Sequence, residues 1–127
     1  MIERRCGICT RRIGHTAQLV FIGETNALFS REPPLHKHCA AYALQVCPVL
    51  HASGERIEVA LTRSYEVAEE RITGVASDGT FRRAVYPLHD PAARLLAVLE
   101  FYLAFPDTPE RLTGPKWLAE CAPKLLP

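Results

Sequence analysis

The chain has 127 residues, of which 48% are hydrophobic and 23% are charged, and its formal net charge is +1. This composition excludes a disordered or fibrous chain, and the length corresponds to one domain or to one domain with a small appended module. The near-zero charge excludes a global field that would attract nucleic acid or a membrane surface.

The sequence predicts a cytoplasmic protein that does not cross a membrane. No apolar run follows the charged N-terminus, as a secretory signal would require. The longest apolar stretch, residues 95–105, contains Glu100 and is much shorter than the roughly 20 residues that span a bilayer. The cysteine count is five, an odd number. In a reducing compartment we expect thiols or metal ligands rather than a disulfide framework.

The first predicted elements are a strand and a helix within residues 1–50. Residues 18–23 form a short apolar run that is typical of a strand. A helical pattern starts at about His36 and continues to Val46. Pro48 cannot continue this helix, so the helix should end just before it.

A β-rich region is predicted after a linker at residues 51–54. Over residues 57–62, Ile57, Val59 and Leu61 alternate with Glu58, Ala60 and Thr62, as in a half-buried strand. Residues 72–76 and 81–86 are two further strand candidates, separated by a turn signal at residues 77–80. Together these segments predict a small antiparallel β-meander.

Two helices are predicted at the C-terminal end. Asp90 followed by Pro91 is a favourable helix start, and the apolar pattern then extends over residues 92–105 until Pro106. Since this segment is apolar around most of its circumference, we expect it to be buried or to face a partner. A short turn and a last helix over residues 115–122 complete the prediction.

The strongest motif consists of two pairs of closely spaced potential metal ligands. Cys6 and Cys9 have two residues between them, and His36 and Cys39 follow after 26 intervening residues with the same spacing. A tight turn directs the first two thiolates at one ion, and residues three apart share a helix face. We therefore predict one structural zinc ion held by these four residues, with His38 as the alternative fourth ligand.

A knuckle, a hairpin and a helix that supplies the second ligand pair form the arrangement of a treble clef. The predicted fold class is therefore α+β, with a treble-clef-like unit over residues 1–50. Residues 51–127 would add the β-meander and the C-terminal helices, packed with the first unit as one domain.

The chain also resembles a set of small, uncharacterised zinc-binding proteins of actinobacteria and their phages. The residues that carry the resemblance are Arg4-Arg5-Cys6 to Cys9, the apolar segment 19–22, Pro33-Pro34-Leu35-His36 to Cys39, and Cys47-Pro48. The resemblance implies a treble-clef-like zinc site and no particular activity.

A non-enzymatic binding module is the function that the sequence favours. Four protein ligands leave no open position on the metal for a substrate. The partner would be a protein or a nucleic acid. The basic residues that could contact phosphate are Arg4, Arg5, Arg11, Arg12 and Lys37.

Two alternatives remain. The first is thiol redox chemistry at Cys6 and Cys9, although a redox motif of this spacing normally follows a strand and only five residues precede Cys6. The second is a zinc-dependent enzyme, although the deaminase and metalloprotease signatures are absent from the sequence.

Overall fold

The computed structural model describes residues 2–90 and 99–125. In this part of the chain it contains two antiparallel sheets of three strands each and three α-helices, so the predicted α+β class is confirmed. The elements are β1 (Leu19–Glu24), α1 (Lys37–Val46), α2 (Pro48–Ser53), β2 (Ile57–Thr62), β3 (Tyr65–Val75), β4 (Phe81–Pro87), β5 (Leu99–Pro106), β6 (Glu110–Thr113) and α3 (Gly114–Leu125).

The first sheet has the strand order β1-β2-β6. The register of β1 on β2 runs from Leu19 opposite Thr62 to Glu24 opposite Ile57. Strand β2 lies at the centre, with a neighbour on both edges, and its side chains are buried along nearly its whole length. The helices α1 and α3 pack against each other and complete the core of this part of the molecule.

The hydrophobic core combines residues from distant parts of the chain. Trp117 of α3 is 1% exposed and belongs to the same buried cluster as Cys6, Ile13 and Cys39. This cluster and the pairing of β1 with β2 both cross the predicted boundary near residue 50.

The second sheet has the strand order β4-β3-β5. Strands β3 and β4 form a hairpin whose turn lies where the sequence predicts it, with the amide of Ala76 donating to the carbonyl of Thr80 over 2.7 Å. A register shift between Ile72 and Gly74 marks a bulge in this hairpin. Ser30 pairs with Ala104 on the outer edge of β5, through two hydrogen bonds of 2.8 Å.

The predicted helix over residues 92–105 is wrong for its C-terminal half. Residues Leu99–Pro106 form β5, which pairs with β3 over its whole length, while residues 91–98 lie outside the described residues. Leu103 and Ala104 are consecutive and both buried, so this segment lacks the alternation of a half-buried strand, and its apolar pattern is not distinguishable from that of a buried helix.

The other differences from the prediction are smaller. Strand β2 does not join β3 and β4 in a meander, because it is the central strand of the other sheet. Most of the predicted linker belongs to α2, which has Pro48 at its first position, where the missing amide hydrogen is tolerated. A strand, β6, follows Pro109 before the confirmed last helix α3.

None of the helices in the described residues is long and apolar enough to cross a membrane.

Candidate metal centre

The first half of the site is a tight turn that contains Cys6 and Cys9. The amide of Thr10 donates to the carbonyl of Cys6 over 3.0 Å, which closes the turn. The amide of Cys6 donates to the carbonyl of Arg11 over 2.9 Å, and Arg5 pairs with Arg12 in an antiparallel bridge. The turn therefore holds both thiols on the same side.

The second half of the site is delivered by the start of α1. Leu35 exchanges two backbone hydrogen bonds with Val20 of β1, of 2.8 and 3.0 Å, and so fixes the chain just before the helix. His36 is the N-cap residue of α1 and Cys39 lies in the first turn of that helix. The amide of Gly7 donates to the carbonyl of Pro34 over 3.1 Å, which joins the two halves.

The four predicted ligands lie together. One ligand atom from each of Cys6, Cys9, His36 and Cys39 lies within 4.8 Å of every other, and the group contains no carboxylate. In a tetrahedral zinc site with Zn–S bonds of about 2.3 Å, two sulfur atoms lie about 3.8 Å apart. The donor set and its spacing therefore fit a tetrahedral ion of that size.

The imidazole of His36 is oriented by both of its nitrogen atoms. Its Nδ1 lies 3.3 Å from the Sγ of Cys9, and its Nε2 lies 3.3 Å from the carbonyl oxygen of Arg12. A metal on Nδ1 requires the proton to be on Nε2, where it would be donated to this carbonyl. Such a partner on the second nitrogen is the usual way in which a ligating histidine is held in place.

The alternative ligand His38 is outside the group. Its side chain is exposed, and its ring stacks on that of His36 with the centroids 5.2 Å apart. Among the described residues, one group of side chains could hold a metal ion. It contains His36 and does not contain His38.

The electrostatics of the three thiols favour a bound cation. Burial opposes ionisation of Cys6, but hydrogen bonds from the backbone amides of Cys9, His36 and Ile8 outweigh it and lower the pKa of Cys6 to about 6. Burial raises the pKa of Cys39 to about 12, and the nearby Cys6 and Cys9 add to this effect. Three thiolates at this distance repel each other, and a divalent cation removes that penalty.

The basic residues near the site divide into two kinds. The guanidinium of Arg4 donates to the carbonyls of Ile13, Gly14 and Arg63 over 3.4, 2.8 and 3.0 Å, so it has a structural position. Arg5 pairs with Glu3 over 2.7 Å. The remaining three side chains, those of Arg11, Arg12 and Lys37, are exposed, and the described residues give them no ion pair.

Several groups around the site are not visible as motifs in the sequence. The carbonyl of Arg12 and the amides of Ile8 and Cys9 act through the backbone, so no residue type identifies them. The two other cysteines lie outside the group: Cys47 joins α1 to α2, and Cys121 packs against the core from α3.

No family model matches this chain, and neither the curated proteins nor the solved structures include a match to it. The resemblance to small zinc-binding proteins of actinobacteria and their phages therefore stays a prediction. The geometry of the site itself is the basis of any functional conclusion.

Proposed function

We propose that this chain is a small intracellular zinc-binding protein in which the ion is structural and the folded surface serves as a non-enzymatic binding module. The observation that carries the proposal is the convergence of three thiols and one imidazole within 4.8 Å. Zinc is the divalent ion best suited to a closed tetrahedral set of sulfur and nitrogen ligands.

A structural role is supported by the closed ligand set and by burial. Cys6 is 2% exposed and Cys39 is 6% exposed, and both belong to the hydrophobic core. A catalytic zinc keeps one coordination position for water or substrate, whereas four protein ligands use all positions of a tetrahedral ion. The group also contains no carboxylate that would act as a general base.

The local topology supports a treble-clef-like unit. A turn bearing the first ligand pair is followed by β1, which pairs at Val20 with Leu35, and α1 then supplies Cys39. The main partner of β1 is β2, so the hairpin of this unit is short and is extended by a strand from later in the chain.

The redox alternative has less support. A redox pair of this spacing normally lies at the start of a helix that follows a strand. Cys6 and Cys9 lie in a turn before β1, and a third thiol and an imidazole are within reach of both. These additional groups are what a metal site needs and a dithiol exchange centre does not.

A protein partner is favoured over a nucleic acid. Arg4 and Arg5, two of the five basic candidates, have partners inside the chain. Three exposed basic side chains and a net charge of +1 would give only weak binding to phosphate.

The metal is tested by native mass spectrometry of protein purified without added metal. We expect one zinc ion per chain, and its loss when the same sample is denatured. Cys9→Ser should abolish this stoichiometry, whereas the matched control Cys47→Ser should keep it, since Cys47 lies outside the group. A metal-free chain that is two daltons lighter, with a disulfide between Cys6 and Cys9, would support the redox alternative instead.

Nucleic-acid binding is tested on the metal-loaded protein by fluorescence anisotropy with random single-stranded and double-stranded DNA and RNA. We expect no saturable binding at physiological salt. Binding that weakens steeply with salt, and that is lost in the triple variant Arg11→Ala, Arg12→Ala, Lys37→Ala, would replace the protein-binding proposal by the nucleic-acid one.

A further inference from the structure

The three thiols of the metal centre differ in their access to solvent. Cys6 and Cys39 are buried, whereas Cys9 is only half-buried. The chain neighbours of Cys9, which are Ile8 and Thr10, are both exposed. Cys9 is therefore the thiol of the group that is most open to a small solute.

The packing of the turn explains why its two cysteines differ. The amide of Gly7 donates to the carbonyl of Pro34 over 3.1 Å, and a Cβ atom on Gly7 would lie 3.4 Å from Pro33. The start of the turn thus lies directly against the segment before α1. Cys6 is part of the hydrophobic core, whereas Cys9 only packs against that core from the later half of the turn.

Cys6 is better placed than Cys39 to form a disulfide with Cys9. Cys6 and Cys9 share one turn, which the hydrogen bond of 3.0 Å from the amide of Thr10 to the carbonyl of Cys6 closes. A tight turn keeps Cα atoms three residues apart within about 7 Å, which is also about the longest Cα distance that a disulfide spans. Cys39 belongs to α1, and the pairing of Leu35 with β1 fixes the start of that helix. A disulfide within the turn therefore requires no movement of α1.

We propose that Cys9 is an oxidation site for hydroperoxides, and that its oxidation to a disulfide with Cys6 releases the metal ion. With hydrogen peroxide, the thiolate of Cys9 attacks one oxygen atom; the S–O bond forms as the O–O bond breaks, which gives a sulfenic acid and a hydroxide ion. The thiolate of Cys6 then attacks the sulfur atom of Cys9 and displaces a second hydroxide ion. The two sulfur atoms lose two electrons in total, the peroxide gains them, and two protons from solvent convert the hydroxide ions to water.

Release of the metal follows from the number of ligands. The disulfide removes two thiolates and leaves His36 and Cys39, which are half of a tetrahedral set. The inference rests on the proposed structural zinc, because ligation is what keeps a thiol deprotonated at neutral pH. It differs from the redox alternative, since the metal-loaded chain is the resting form and exchanges no disulfide with a substrate.

The chain contains its own controls for solvent access. Cys47 and Cys121 are half-buried like Cys9, but neither belongs to the ligand group. Only a few per cent of an ordinary cysteine is ionised at pH 7, and the thiolate is the nucleophile. Cys9 should therefore react with peroxide at least about tenfold faster than Cys47 or Cys121 in the same molecule. If solvent access alone set the rate, the three residues would react together.

The test treats the metal-loaded full chain with hydrogen peroxide at neutral pH. A chromogenic chelator follows the free zinc, and mass spectrometry after alkylation follows the cysteines. We expect one zinc ion to be released for each chain that becomes two daltons lighter, with the disulfide between Cys6 and Cys9 and with Cys47 and Cys121 still free. Dimedone, which traps sulfenic acids, should label Cys9 when it is present during the reaction. Reduction in the presence of zinc should restore both the mass and the metal.

The double variant Cys47→Ser, Cys121→Ser is the matched control, since both residues lie outside the ligand group. It should release zinc at the rate of the unmodified chain. Release that is lost in this variant overturns the inference, as does a dimedone label on Cys6 or Cys39, a disulfide that contains Cys39, or zinc that stays bound after treatment.

These outcomes leave the zinc proposal intact, because native mass spectrometry detects the metal before peroxide is added. A chain that carries no zinc before treatment contradicts the proposed function, and the inference fails with it.

Discussion

Arg4 connects the turn that carries the first ligand pair to the rest of the molecule. Its backbone has a positive φ of 55°, which is uncommon for a residue with a side chain. Its guanidinium compensates by donating to the carbonyls of Ile13, Gly14 and Arg63. A residue that appears in the sequence as part of a basic surface therefore acts as a structural link.

Replacement of Arg4 by alanine should lower the stability of the metal-loaded protein by about 1–3 kcal/mol, because hydrogen bonds from a charged donor are lost. The measurement is thermal unfolding followed by circular dichroism. Arg11→Ala is the control, since Arg11 is exposed and has no ion pair within the described residues, and it should change stability by at most about 0.5 kcal/mol. Equal losses for the two variants would contradict the structural role of Arg4.

The three thiols predict a proton release when the metal binds. In the metal-free chain, the pKa of Cys6 is lowered to about 6 and that of Cys39 is raised to about 12. At neutral pH, Cys6 is therefore mostly ionised, whereas Cys39 must lose its proton to become a ligand. The apparent affinity for zinc should then rise with pH between about 6 and 8, with at least one proton released per ion.

Isothermal titration of the metal-free protein with zinc in two buffers of different ionisation enthalpy measures this release. The observed heat should differ between the buffers by the number of protons times the difference in ionisation enthalpy. Identical heats in both buffers would mean that the ligands are already deprotonated, contrary to the raised pKa of Cys39.

At the scale of elements, β3 is unusual because it buries consecutive charged residues. Glu69, Glu70 and Arg71 are all less than 10% exposed. Arg71 and Glu69 form an ion pair of 2.7 Å, and Glu70 receives hydrogen bonds from Arg31 and Arg83 over 3.1 Å. The buried carboxylate of Glu70 thus joins β3 to β4 and to the segment before α1.

The two sides of this Glu70 network should respond unequally to mutation. The Glu70 side chain is 5% exposed, whereas those of Arg31 and Arg83 are 48% and 45% exposed. Arg31→Ala with Arg83→Ala strands a buried carboxylate and should cost about 3 kcal/mol. Glu70→Gln leaves two cations that reach water and should cost about 1 kcal/mol.

Urea unfolding of these variants measures the asymmetry. Adding Glu70→Gln to the double arginine variant should restore part of the lost stability, since the stranded charge is removed. A triple variant that is less stable than the double one would show that the loss comes from packing, for example of Arg31 over the ring of Phe29, and not from the carboxylate.

At the scale of the whole molecule, the metal centre and the main core are one structure. Cys6 and Cys39 belong to the same buried cluster as Leu19, Val59 and Trp117. The cluster draws on both ends of the described chain, so loss of the metal should not be confined to the first fifty residues. Because this cluster buries ionisable thiols, we expect folding and metal binding to be coupled.

The single tryptophan reports this coupling directly. Trp117 is 1% exposed, so its emission should be blue-shifted in the metal-loaded protein. A strong zinc chelator should shift the emission to the red, together with a loss of far-ultraviolet circular dichroism, and added zinc should reverse both changes. An unchanged emission maximum after complete metal removal would mean that the C-terminal part folds without the site.

Local physical chemistry made part of this protein predictable from its sequence. The spacing of Cys6, Cys9, His36 and Cys39 depends on a tight turn and one helical turn, and both form over a few residues. Pro48 separates α1 from α2, and the turn between β3 and β4 follows from its own residues. That these four side chains bind zinc stays a proposal, as does the division of the chain near residue 50.

Only the tertiary structure decided the features that depend on distant partners. Residues 99–106 are mostly apolar without a regular alternation, which suits a buried helix or a strand, and the neighbouring β3 and Ser30 determine that they are a strand. Strand β2 pairs with β1 on one edge and with β6 on the other, so its backbone hydrogen-bonding groups find their partners in segments from both ends of the chain. The position of Arg4 has the same origin, since its carbonyl partners include Arg63, far away in the sequence. Sequence patterns report preferences over a few residues, whereas these choices were made by packing between segments that only the folded chain brings together.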